Sequence, residues 1–170
     1  NTLLGYGGRP PINNRSPWFE WIAFHEKNGT LESILGELGS TILSVMKIMG
    51  FENSAAVDAT WIKAYSGAFP NRDSCVGGIN FPLDMHYGRM KNYIRDILAK
   101  KTLCKIKEKP AMLVEGMRDR AIHPENAIAD FSSIWPKGAI TMHENAGHFC
   151  QEDIPDTLIA LIHQFIQLNP

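Results

Sequence analysis

Asp119 and His148 are the two residues of this chain whose types and setting best suit a shared reaction. Each lies just beyond a short apolar run. Gly116-Met117-Arg118-Asp119 follows the stretch from Pro110 to Glu115, and Asn145-Ala146-Gly147-His148-Phe149 follows Ala139 to His143. If those runs are neighbouring parallel strands, ~4.8 Å apart, the loops leaving their shared end can bring a carboxylate against an imidazole. The carboxylate would fix the ring tautomer and stabilise the imidazolium, leaving the other ring nitrogen to act as a general base. The same residues also fit a plainer arrangement, in which Asp119 caps the turn after it and His148 is an ordinary loop histidine. Periodicity alone leaves both open.

Other chemistries find less support. His25, His86, His123, His143 and His163 show no HExxH or HxxxH spacing, so structural roles are expected for them and no metal site. Cys75, Cys104 and Cys150 are irregularly spaced and form no CxxC pair. Reduced thiols, and with them a cytoplasmic location, are expected. Gly5-Tyr6-Gly7-Gly8 lacks the strand–turn–helix setting of a dinucleotide fingerprint, and no cofactor is expected. With 17 basic and 18 acidic residues, a formal net charge of −1, nothing draws the chain to nucleic acid or anionic lipid. No apolar run approaches the ~20 residues of a membrane span, and the start does not read as a signal peptide. Tyr65, Tyr87 and Tyr93 are candidates for core residues first and proton donors second.

The 170 residues, 44% hydrophobic and 21% charged, suffice for about one domain of ordinary globular composition. Residues 5–17 are punctuated by Gly5, Gly7, Gly8, Pro10, Pro11, Asn13, Asn14 and Pro17 and read as a loop. An aromatic cluster of Trp18, Phe19, Trp21 and Phe24 follows. With Thr30 as N-cap, Leu31, Leu35, Leu38, Ile42, Val45, Met46 and Met49 recur at helical spacing and predict an amphipathic helix ending at Gly50. A second helix is expected behind Asp58, running to Tyr65. A third is expected over about 84–99, with Met90, Ile94, Ile97 and Leu98 on one face.

After Lys109 the pattern changes to strand, helix, strand, helix. The helix opening at Pro124 has Ile128, Phe131 and Ile134 on its apolar face. The final helix carries Leu158, Leu161, Ile162, Phe165 and Ile166 as one stripe. This is a parallel βαβ unit of an α/β fold. Two parallel strands lack cover on both faces and neighbours on both edges, so more sheet is expected upstream. The abrupt opening, Asn1-Thr2-Leu3-Leu4-Gly5, reads as a strand end running into a loop, as expected of a fragment or truncated reading frame.

Three segments together resemble the haloalkane dehalogenase-type α/β-hydrolases: Ala64-Tyr-Ser-Gly-Ala-Phe-Pro70, Gly116-Met-Arg-Asp-Arg-Ala-Ile-His-Pro124 and Asn145-Ala-Gly-His-Phe-Cys-Gln-Glu152. Their order and spacing match that family, with a helical cap before the acid loop and the histidine near the C-terminus. The resemblance implies the C-terminal part of an α/β-hydrolase fold. Residues 1–12 would be the end of a core strand and its loop, 13–100 the cap, and 101–170 the last two strand–helix units of the core. It implies Asp119 as triad acid, His148 as base, and Phe69 and Pro70 as cap residues lining the substrate cavity; Trp61 is a further candidate for substrate binding. The activity implied for the complete protein is hydrolytic cleavage of carbon–halogen bonds in small apolar haloalkanes, without cofactor.

The sequence departs from the family in two places. Gly67-Ala-Phe-Pro70 stands where relatives usually have Ala-Pro-Phe-Pro. One branch of the family has a halide-binding tryptophan in an early cap helix, where this chain has Ile34 to Gly36, none of which donates an indole N–H. Trp18, Trp21 or Trp61 could substitute, though packing is the simpler role for each. No G-x-S-x-G or G-x-D-x-G elbow occurs in the 170 residues, so the nucleophile is expected upstream and the fragment is expected to be inactive and to self-associate. An esterase or epoxide hydrolase of the same superfamily, in the latter case with a cap tyrosine as acid, and a non-catalytic binding fragment are the alternatives.

Overall fold

The computed structural model describes residues 16–37, 46, 49–99 and 103–170; the side chains of residues 36–37, 72, 97–99 and 103–104 fall outside that description. The expected strand end at Leu3 and Leu4, most of the loop over 5–17, the helical positions Leu38, Ile42 and Val45, and the side chains of Ile97, Leu98 and Cys104 therefore lie outside it.

The first described element is a helix, α1 (Pro17–Lys27), with proline in its first turn where a missing N–H costs nothing. The aromatic cluster is thus helical. Trp18 and Ile22 are buried, and Trp18 stacks on Trp21 at 5.5 Å. Helix α2 (Leu31–Glu37) follows. The Thr30 carbonyl accepts from Ile34 N at 3.1 Å, as an N-cap carbonyl does, while its hydroxyl meets His25 Nδ1 at 2.8 Å. Met46 and Met49 are helical, and Gly50 N closes on Met46 O at 3.0 Å before the chain turns at Gly50. Helix α3 (Ala59–Ser66) starts where expected, with Asp58 Oδ1 accepting from Trp61 N at 2.7 Å.

The expected helix over 84–99 is instead two. A 3₁₀ turn at Arg72–Cys75, closed by a reciprocal Asn71–Ser74 capping box, leads into α4 (Val76–His86). Gly88, at φ 65°, ends that helix, and α5 (Lys91–Ala99) begins afresh. A left-handed residue cannot continue a right-handed helix, and glycine takes that conformation without a Cβ penalty. Met90 and Ile94, expected on one face of that helix, are both exposed. Helix α6 (Leu103–Lys107) completes the helical block.

The C-terminal part matches the expected order: β1 (Met112–Gly116), α7 (Pro124–Ile134), β2 (Ala139–His143), the short α8 (Cys150–Asp153) and α9 (Pro155–Leu168). The first strand starts two residues later than the apolar run, beyond Pro110, which has no N–H to give to a ladder. The strands pair in parallel from Met112 opposite Ala139 to Gly116 opposite His143. Mixed helices with a parallel strand pair fit a fragment of an α/β-hydrolase.

The helical block and the acid loop share a core. Trp18, Ile22, Leu31 and Leu35 bury together with Ala121, two residues past Asp119, and Ile79 and Leu83 of α4 pack against them. Trp18 N donates to Arg120 O at 3.2 Å, tying α1 to the same loop. No helix among the described residues is long and apolar enough to cross a membrane.

The stripe on α9 is only partly covered. Leu158, Leu161 and Phe165 are half-buried, but Ile162 and Ile166 are exposed, as is Met142 on β2. Apolar surface of this kind favours association. The isolated chain is expected to elute in size-exclusion chromatography as a species larger than its 19.0 kDa and to melt over a broad range. A monodisperse monomer with a sharp melt would contradict this.

Candidate functional site

The register that sets Gly116 opposite His143 starts both candidate loops at the same sheet end. From there the loops are laced together. Met117 N donates to His143 O at 3.0 Å, and Arg118 N to Ala146 O at 2.9 Å. This lacing requires glycine. A Cβ on Gly116 would come within 2.6 Å of the Ala146 carbonyl oxygen, and one on Gly147 would overlap the Gly50 carbonyl. Gly50 itself, at φ 118°, sits against Arg118 O and His148 N, and Arg120 N donates to Met49 O at 2.9 Å.

Asp119 is buried, and its two carboxylate oxygens do different work. Oδ1 accepts from Ala121 N at 2.7 Å and Ile122 N at 2.8 Å, closing the turn. Oδ2 lies 2.9 Å from His148 Nδ1. Asp119 therefore caps its own turn and meets the His148 ring at the same time. Bonds from backbone N–H to a carboxylate are charge-assisted, so the acid is held in place before it meets the ring. With Nδ1 on an acceptor-only carboxylate, that nitrogen carries the proton and Nε2 of the neutral ring has a free lone pair. The His148 side chain is 11% exposed, its ring edge-on to Phe149 at 5.1 Å.

Around this pair stand residues that sequence reasoning did not single out. Glu152 Oε2 accepts from Trp61 Nε1 at 2.9 Å, and Oε1 accepts from the Tyr65 hydroxyl. Trp61 also stacks on Phe51, at 5.5 Å and nearly parallel. Asp153 Oδ1 accepts from Glu52 N and Asn53 N, and Oδ2 from Gly147 N. The prior signal was that Glu152 ends the 145–152 segment that carries the resemblance, with Asp153 next to it. Outside them, Glu52 pairs with Arg120 at 2.9 Å and more loosely with Arg118 at 3.6 Å. Both arginines are substantially exposed, so these pairs contribute about 0–1 kcal/mol each.

Cys150, next to the histidine turn, is no alternative nucleophile. Burial, and then the charge of Glu115, push its thiol pKa up, and Sγ donates to Gly147 O at 3.3 Å. Of the expected substrate-binding residues, Trp61 and Phe69 are half-buried and Pro70 is exposed. The Trp61 indole N–H is already given to Glu152. Trp18 is buried in the helical core, which leaves it a packing residue. No group of His, Cys, Asp and Glu among the described residues is arranged to hold a metal ion.

No protein-family model matches the chain. A stretch of 65 residues is 37% identical to haloalkane dehalogenase 2 of Mycobacterium bovis, and equally to haloalkane dehalogenase 2 of two strains of Mycobacterium tuberculosis. The match takes in 38% of the chain and 23% of each relative, so the chain spans under a quarter of the length of the relatives it matches. This partial identity supports a relationship to the α/β-hydrolases and to a hydrolytic enzyme at that level.

Two outcomes follow from the geometry. Gly147→Ala should lower the urea midpoint by the equivalent of about 2–3 kcal/mol, the cost of forcing a methyl group into filled space; an unchanged midpoint would mean the backbones are not this close. Tyr65, bonded to Glu152, has its pKa pushed from the ordinary 10.0 to about 12, by that bond first and burial second. In the unfolded chain the phenol ionises near its ordinary value. The stability from this bond is therefore complete below about pH 10 and lost as pH rises to about 12. An absorbance titration should show a late-ionising component that shrinks by one tyrosine in Tyr65→Phe; loss of amplitude near the ordinary 10.0 instead would contradict it.

Proposed function

We propose that this chain supplies the acid and base of a hydrolase that works through a covalent intermediate, and that the complete protein cleaves carbon–halogen bonds of small apolar haloalkanes. The observation that carries the reading is the 2.9 Å contact of Asp119 Oδ2 with His148 Nδ1, made while two backbone amides pin the other oxygen. In this reading residues 13–100 form the cap and 101–170 the end of the core, in a soluble cytoplasmic protein. No elbow motif occurs within the 170 residues, and in this reading the complete protein supplies a carboxylate nucleophile from upstream of them.

The carboxylate attacks the halogen-bearing carbon; a carbon–oxygen bond forms and halide leaves with the carbon–halogen electron pair. His148 Nε2 then takes a proton from water, whose oxygen attacks the carbonyl carbon of the resulting ester. The ester bond breaks, alcohol departs, the carboxylate is restored, and the proton on His148 is released to solvent. The sum is haloalkane plus water giving alcohol, halide and a proton. Asp119 holds the ring in register and balances the imidazolium charge. Phe69, Pro70 and the ring face of Trp61 line the apolar substrate's cavity.

An esterase would use the same pair with a serine nucleophile, and the residue at the upstream elbow separates the two. Tyr65 is poorly suited to the acid role an epoxide hydrolase needs, because its proton is committed to Glu152 and its pKa is raised to about 12.

In the complete protein, His148→Ala is expected to release about one equivalent of halide per enzyme and then stall as the covalent ester accumulates. Steady turnover should fall roughly 10²–10⁴-fold. Unchanged turnover would remove His148 as the base, and ester cleavage without halide release would move the protein to the esterases.

A further inference from the structure

The turn that presents His148 contains Gly147, a residue with no side chain to restrict its own backbone. Something outside the turn must hold it if the imidazole is to keep one direction. Asp153 is placed to do so. Its Oδ2 accepts from Gly147 N at 2.7 Å, while Oδ1 accepts from Glu52 N at 2.8 Å and Asn53 N at 2.9 Å. The neighbouring Glu152 carbonyl accepts from Asn53 Nδ2 at 3.2 Å, and its side chain holds Trp61 and Tyr65 of α3. Asp153 itself sits on α8, with its N–H bonded to Phe149 O at 3.0 Å, so the carboxylate starts from a fixed base.

We propose that Asp153 is a positioning residue for His148: its carboxylate clamps the histidine turn to the 52–53 segment and so fixes the aim of the base. This rests on the nucleophile–His–Asp reading above. The clamp needs an acceptor at both ends. An ionised carboxylate has two acceptor oxygens, whereas an asparagine amide has one and presents N–H groups on the other side. Asp153→Asn, almost the same shape, therefore sets a donor against a donor at Gly147 or at Glu52 and Asn53. Glu152→Gln is the matched variant, because it disturbs the Trp61 and Tyr65 contacts and leaves the Gly147 acceptor in place.

The test follows the downfield Nδ1–H proton of His148 by NMR in the complete protein with labelled histidine. The signal should be strong in the parent and in Glu152→Gln, and lost or broadened severalfold in Asp153→Asn. Equal strength in Asp153→Asn would overturn the role of Asp153 alone. Absence from the parent would overturn the Asp119–His148 reading itself, and this inference with it. Should Asp153→Asn fail to fold, amide exchange in the parent decides. The Gly147, Glu52 and Asn53 amides should be slowed together by tenfold or more relative to free amides, and a Gly147 amide exchanging at the free rate would overturn the clamp.

Discussion

Three stretches of backbone meet beside the candidate base with no side chain between them. Gly50 closes the helical segment at φ 118°, Gly116 ends β1, and Gly147 begins the histidine turn. Carbonyl and amide groups from one stretch lie against Cα atoms of the next, at distances no Cβ would permit. The Asp119–His148 bond depends on this approach. Hydrogen bonds weaken steeply as the donor angle closes below about 120°. Wedging the loops apart by one methyl group would leave the carboxylate and the imidazole facing each other across a gap. The core sits on the same constraint, because Ala121 reaches Trp18 and Leu35 only if the acid loop is held close to the helices.

Around that junction the carboxylates divide their labour by oxygen. Asp119 gives one oxygen to its own turn and the other to the ring. Asp153 gives one to a distant segment and the other to the turn holding the ring. A carboxylate suits this arrangement because it accepts on both oxygens and never donates when ionised. Partly buried backbone amides gain partners, and the charge is spread over several donors in place of one lysine or arginine. The arginines nearby pair with Glu52 at the exposed rim, where solvent screening leaves them little to contribute.

The sequence exposed those parts of the structure that rest on local rules. Ala139 to His143 is a strand over the range its apolar residues predict, Asp58 caps α3, and Pro124 opens α7. That Asp119 and His148 lie at the same sheet end was legible because both follow strands, a local property, whereas their roles as acid and base rested on the resemblance alone. The break at Gly88 was missed because Met90 and Ile94 continue a helical spacing that a single left-handed residue interrupts. The α1 helix was hidden by its bulk, with Trp18 and Ile22 turned inward while Phe24 is exposed. Glu152 and Asp153 carry no periodic signature. Their partners lie at residues 52, 53, 61 and 65, and nothing in a linear pattern joins such distant positions.

That separation has a kinetic meaning. The bond from Gly147 to Asp153 closes over six residues and can form as soon as α8 winds, whereas those from Glu52 and Asn53 close over 101 and 100. Contacts between residues so far apart carry a larger loop-closure cost and form after the segments between them have condensed. The histidine turn is thus shaped early by its neighbour and aimed late by the rest of the chain. In a partly folded molecule the acid loop and the imidazole would both exist, each with its local bonds made, before they faced one another. In the proposed mechanism, competence of the base is in this sense a report on the completeness of folding, arriving only when the most distant segments have come together.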